Sequence, residues 1–161
     1  MGSQVSLANA QIVADLWNAA RPLFVSTFPD PVGPLITAED ALRHMKEPDR
    51  TFYIHPTGKG YLEAVAWPNK VSECRSGVLK VGMTDIEQWS ILRDLLVMWF
   101  EDCGADWCWT EVPVAWSKTS MTLVRTHGKF TEVKSARQGW TRFEEHEPLK
   151  AAARLRALKW R

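Results

Sequence analysis

At 161 residues, 45% of them hydrophobic and 24% charged, the chain is the size of one ordinary domain and apolar enough to bury a core, which argues against disorder. Its formal net charge of +1 at pH 7 supplies no global pull toward nucleic acid or a membrane surface. Three cysteines, Cys74, Cys103 and Cys108, make no CxxC pair, and the start Met1–Gln4 lacks a basic, apolar leader; reduced thiols and a cytoplasmic location are expected.

A short strand is expected near Gln4–Leu7. Asn9 then caps a helix running toward Phe24, with Ile12, Leu16, Ala20 and Leu23 on one face and Val13 and Trp17 widening the stripe. The segment Phe28–Pro34 ends it, because its three prolines cannot continue a helix. Thr37 followed by Asp40 opens a short second helix through Ala41, Leu42 and Met45. Thr51–His55 and Tyr61–Trp67 read as strands around the turn Pro56-Thr57-Gly58-Lys59-Gly60, which lacks the spacing of a phosphate loop. A polar loop holding Cys74 precedes a third strand, Val78–Met83, and short connections make these three an antiparallel meander.

The longest helix spans about Asp85–Asp102. Trp89, Leu92, Leu95, Leu96 and Trp99 form its stripe, and Gly104 stops it. Trp107–Val114 follows as a strand, with Trp107 and Trp109 on one face and Cys108, Thr110 and Val112 on the other. A helix over Ser117–His127 ends at Gly128, and Phe130–Lys134 with Gly139–Glu145 reads as a closing hairpin. Leu149–Trp160 is amphipathic, and with Arg161 this end carries five cations and no acid. Residues 1–147 are thus expected to form the domain and 148–161 a basic appendage. No stretch approaches the ~20 apolar residues of a membrane helix.

This order of elements, β, α, α, β, β, β, α, β, α, β, β over residues 4 to 145, resembles the acyl-CoA N-acyltransferase (GNAT) superfamily. Val78–Phe130 carries it best, with Gly128-Lys129-Phe130 where the family often has Gly-Phe. A narrower similarity is to the small GNAT-like internal virion proteins of T7-like podophages. The resemblance implies an α/β (α+β) fold: a mixed, mostly antiparallel sheet of about six or seven strands, splayed, with about four helices around it. Acetyl-CoA would enter where the fourth and fifth strands part.

In working members a Gln/Arg-x-x-Gly-x-Gly/Ala loop lets backbone N–H groups meet the pyrophosphate at a helix N-terminus. The matching segment here starts Gly82-Met83-Thr84-Asp85-Ile86-Glu87 and has neither the arginine nor the spaced glycines. Gly82, Met83 and Thr84 are the residues that would touch acetyl-CoA. Thr84-x-x-Glu87 reads instead as a capping box in which the Glu87 carboxylate returns to the Thr84 N–H, and Asp85 adds a second anion. Two carboxylates there would repel a pyrophosphate, so the expected cofactor is none, with acetyl-CoA as the alternative.

The family's thiolate-protonating tyrosine falls at Val124, which transfers no proton; Tyr53 and Tyr61 lie elsewhere, and Ser120 or Thr122 remain as weaker donors to a thiol. Glu111 is the first candidate general base and Glu63 the second, the tryptophans on the face of Glu111 favouring its neutral form. Lys150, Arg154, Arg156, Lys159, Trp160 and Arg161 are the candidate contacts for a protein partner; nucleic acid is the other class such cations would serve, and a membrane is not expected. The reading is a GNAT-like protein with a degenerate acetyl-CoA site, a non-catalytic binding or structural component of a phage particle. The alternative is an active acetyl-CoA-dependent N-acetyltransferase with a divergent pyrophosphate loop.

Overall fold

The computed structural model describes residues 5–117 and 124–159. Helix α1 covers Leu7–Thr27, so the strand expected near Gln4–Leu7 is absent from its described part, Val5 onward. Ser6, not Asn9, is the cap: its hydroxyl accepts the Asn9 N–H at 3.1 Å. The buried face is also rotated from the expected one. Ala10, Val13, Ala14, Leu16, Ala20 and Phe24 point inward, while Leu23 is 52% exposed. Alanines let the helix backbone lie close to its neighbours, which a stripe of larger residues would hold off.

Helix α2, Ala38–Met45, begins at the expected Thr37, with both halves of a capping box made by Thr37 and Asp40. Strands β1 (Arg50–Ile54), β2 (Gly60–Trp67) and β3 (Val71–Leu79) form the antiparallel meander. The third strand departs from expectation: it starts at Val71, ends at Leu79, and takes in Cys74. Its polar residues find distant partners, with Ser72 bonded to Trp99 and Ser76 to Glu63. Helix α3 runs Asp85–Asp102 as its stripe and cap dictate.

Strand β4 (Trp107–Pro113) lies parallel to β3 and antiparallel to β6 (Trp140–Glu145), whose hairpin partner is β5 (Thr131–Lys134). The sheet order is therefore β1-β2-β3-β4-β6-β5. Of the helix expected over Ser117–His127 only the two ends are described: one turn of helix, α4, covers Val114–Ser117, and a π turn covers Val124–Gly128. The remainder of the helix expected there, with Ser120 and Thr122, lies outside the described residues. Helix α5, Pro148–Arg156, is the last element among the described residues.

Two cores sandwich the sheet. Phe52, Tyr61 and Val78 face α1 and α2, whereas their neighbours Tyr53 and Leu62 face α3 and α5, with Trp99, Phe100, Phe143 and Leu155. This is strand alternation with both faces covered. Helix α5 is integral to the second core: Ala151, Ala152 and Leu155 are buried against it, while Leu149 is 68% exposed. The helical part of the basic C-terminal segment is thus packed on the domain.

The β5–β6 turn rests on the loop after α1. Gly139 has φ +85°, and an added Cβ would stand 2.9 Å from Cβ of Pro29. Gly139→Ala is expected to lower the unfolding free energy by about 2 kcal/mol in urea titration, since left-handed strain alone costs roughly 1–2 kcal/mol. Gly77→Ala, which meets nothing within 4 Å, should stay within about 0.5 kcal/mol of the parent.

Candidate functional site

Strands β3 and β4 are paired only from Val71↔Trp107 to Cys74↔Thr110. Beyond that point β3 stays with β2, through a bulge at Arg75, while β4 stays with β6, so the two strands part. The opening is a cleft of about 1070 Å3 through the sheet. On the α1 side its wall is aromatic, with Trp17, Phe28, Trp116 and Trp140. On the α3 side Trp89, Leu92 and Phe130 line it.

Both candidate bases line this cleft, and both are engaged. Glu63 on β2 accepts from Arg50 and from the Ser76 hydroxyl at 2.9 Å. Glu111 on β4 accepts from the Ser135 hydroxyl and faces Arg137 at 3.8 Å. Both tryptophans expected beside Glu111 have other partners: the Arg142 guanidinium lies 4.0 Å over the ring of Trp109, and Trp107 stacks on His146 with ring centroids 5.1 Å apart. A carboxylate held by arginine and serine has fewer free lone pairs with which to take a proton from an amine.

Arg137 organises a cluster that local sequence reading missed. It pairs with Asp30 at 2.6 Å and stacks 3.9 Å above Trp140, whose indole N–H also donates to Asp30 at 2.8 Å. The Arg137 hydrogen bond, then that of Trp140, holds the Asp30 carboxyl below the usual range. Asp30 and Arg137 are 107 residues apart, so no local spacing announces them.

The loop before α3 is open. Gly82 has φ +90°, with nothing within 4 Å of an added Cβ. Met83 packs on the core, and its carbonyl accepts the Gln88 side-chain amide at 2.9 Å. Thr84 caps α3 by accepting the Glu87 N–H at 3.2 Å. The reciprocal half of the expected box is not made. The Glu87 carboxylate instead meets Nζ of Lys59 at 2.8 Å, because the β1–β2 turn lies beside the start of α3. Of the two anions anticipated there, one is therefore paired with a cation, and Asp85 is exposed. An exposed pair of this kind is worth about 0–1 kcal/mol to stability, but it removes much of the local negative field.

Of the two tyrosines, Tyr61 lines the cleft and its hydroxyl is hydrogen-bonded to Ser76, whereas Tyr53 is not among the lining residues. Tyr53 is buried and donates to Asp102 at 2.8 Å, and Tyr61 is buried against Phe52; burial pushes both phenols up. His55, expected at a strand end, is buried between Thr57 at 2.7 Å and Asp94 at 2.8 Å. Among the described residues no group of three or more His, Cys, Asp or Glu is arranged to hold a metal, and no helix is long and apolar enough to cross a membrane.

The C-terminal cations point to internal partners. Arg156 pairs with Glu101 at 2.5 Å, Arg154 with Glu145 at 3.1 Å and the Gly128 carbonyl at 2.6 Å, and Lys150 with Glu147 at 2.6 Å. Lys159 is exposed; Trp160 and Arg161 lie outside the described residues, as do the side chains of Val124 and His127.

No family model and no curated protein matches this chain in sequence. Solved structures do match in shape. An acetyltransferase from Thermus thermophilus superposes with a TM-score of 0.67 at 16% identity, over 90% of this chain and 95% of that one. The GNAT domain of S. lividans PAT gives 0.65 at 16% identity, over 90% and 88%. RimL, a ribosomal L7/L12 alpha-N-protein acetyltransferase solved in complex with coenzyme A, gives 0.64 at 12% identity, over 92% and 94%.

Proposed function

From the premise that this chain has the GNAT acetyltransferase fold, we propose that it is a non-catalytic member of that architecture, a binding component that uses the open cleft without transferring an acyl group. The observation that carries this reading is the state of the two cleft carboxylates. Glu63 and Glu111 are each tied to a serine and an arginine, and acyl transfer to an amine needs a group free to take its proton. Two further features support it: the pyrophosphate loop lacks its spaced glycines, and Asp85 stands at the start of α3. The fold alone does not supply the chemistry.

A second reading, an active N-acetyltransferase with a divergent loop, draws support from the Lys59–Glu87 pair, which lowers the negative charge where a pyrophosphate would lie, and from the cleft's size. Gly82, Met83 and Thr84 would then meet the cofactor and Glu111 would act as base. Calorimetric titration with acetyl-CoA, and an assay for released CoA thiol with amine acceptors, separate the two. The non-catalytic reading expects no saturable micromolar binding and no release above the blank. Micromolar binding with release that Glu111→Gln abolishes would establish the enzyme instead.

The resemblance to podophage internal virion proteins extends the first reading to a place inside a virus particle. Mass spectrometry of purified particles from the source tests it, and a chain found only in the lysate's free fraction counts against it.

A further inference from the structure

The described residues hold one pair of cysteines within reach of each other, and neither belongs to the cleft. Cys103 caps the C-terminal end of α3 and is partly exposed; Cys108, on β4, is 0% exposed. Their sulfur atoms are 3.8 Å apart. From this geometry we infer that Cys103 and Cys108 are a peroxide-oxidisable dithiol, a modification site at the end of α3 that closes to a disulfide.

The two thiols have unequal environments, as such chemistry requires. Either thiol can donate in this S–H···S contact; with Cys108 as donor it holds the Cys103 thiol down to about 7, against burial and the neighbouring Asp102 carboxylate. Cys108 is pushed up, first by its bond to Cys103 and then by burial, with Glu145 adding to it. Cys103, the partly exposed sulfur, is the one a peroxide can reach, and Cys108, 0% exposed, lies behind it as the resolving thiol. Asp102 is also engaged by the Tyr53 hydroxyl, at 2.8 Å. The remaining thiol, Cys74, is pushed up to about 12 by burial and has no second sulfur within bonding reach among the described residues.

The steps balance. The Cys103 thiolate attacks one oxygen of a hydroperoxide, breaking the O–O bond; Cys103 becomes a sulfenic acid, and the leaving hydroxide or alkoxide takes a proton from water. The Cys108 sulfur then attacks the Cys103 sulfur. The S–O bond breaks, and the hydroxyl leaves with the Cys108 proton as water. Two thiols are oxidised and one peroxide is reduced. The sulfurs must close by roughly 1.8 Å to reach the ~2.05 Å of a disulfide. Gly104, next to Cys103, is exposed and has φ +63°.

The test treats the reduced, folded full-length chain with a small excess of hydrogen peroxide, then alkylates it in denaturant. The intact protein should lose two hydrogens, and alkylatable thiols should fall from the three in the sequence to one, Cys74. The tryptic fragment 94–118 should carry both cysteines unlabelled until a reductant is added. In Cys108→Ala, dimedone should tag Cys103 as a sulfenic acid. Overoxidation of Cys103 to sulfinic acid with Cys108 still alkylatable, or disulfide-linked dimers in place of the internal bond, would overturn the inference. The wild-type mass readout stands even where a variant fails to fold.

Discussion

Trp99→Ala is expected to lower the unfolding free energy by about 3–5 kcal/mol, the range for emptying a large aromatic site in a core. Trp99 is 0% exposed and packs on Phe100 with ring centroids 5.0 Å apart. Its indole N–H donates to the hydroxyl of Ser72 at 2.8 Å. Ser72 is itself 4% exposed and sits opposite Cys108, within the short stretch where β3 and β4 still pair. The tryptophan thus fixes the point from which the two strands part, and its loss both opens a cavity and leaves a buried hydroxyl without its donor. Trp99→Phe keeps most of the volume and should cost about 1–3 kcal/mol, mainly for that hydroxyl. Combining it with Ser72→Ala should recover part of the loss, as neighbouring sites couple. Urea unfolding followed by far-ultraviolet circular dichroism measures all three, and strict additivity would count against the hydrogen bond as the cause.

Arg154→Met should cost about 2–3 kcal/mol at pH 7, and less in acid. Its partner Glu145, on β6, is 6% exposed, and burial pushes its carboxyl up, against the pull of the Glu147 N–H and then Arg154. A glutamate raised in the folded state contributes stability below its unfolded value and loses that contribution as pH rises through the folded one. Removing Arg154 raises Glu145 further, so the variant's deficit is largest where Glu145 is ionised. Breaking a buried pair costs about 3–5 kcal/mol; the lower figure here reflects the 35% exposure of the Arg154 side chain. Unfolding measured from neutral to acidic pH should show the gap narrowing, and adding Glu145→Gln should close most of it. A deficit constant across that range would mean that Arg154 acts through its packing and its bond to the Gly128 carbonyl, not through Glu145.

These two sites mark the boundary of what local sequence carries. Helix α3 is legible from its stripe and from Thr84, and α2 from Thr37 and Asp40, because a cap and its helix lie within one turn of each other. The hairpins are legible from short turns between apolar runs. Strand β3 is not, because Ser72 and Ser76 look like loop residues until Trp99 and Glu63 arrive from other elements to satisfy them. The face of α1 departs from expectation for a related reason. Periodicity fixes that a helix has an apolar side, but Ala10 and Ala14 are buried ahead of Leu23 by the closeness of what packs on them.

The candidate site divides in the same way. The missing glycines of the loop, the absence of tyrosine at Val124 and the placement of Glu111 on a strand can be read from the chain itself, since each is a matter of residue type and order. Tertiary structure alone decided how the charges are spent. It set Lys59 against Glu87, Arg50 and Ser76 against Glu63, and Ser135 and Arg137 against Glu111. A side chain's charge is written in its identity, but its partner is whichever group the fold brings within a few ångströms, and sequence distance carries no record of that.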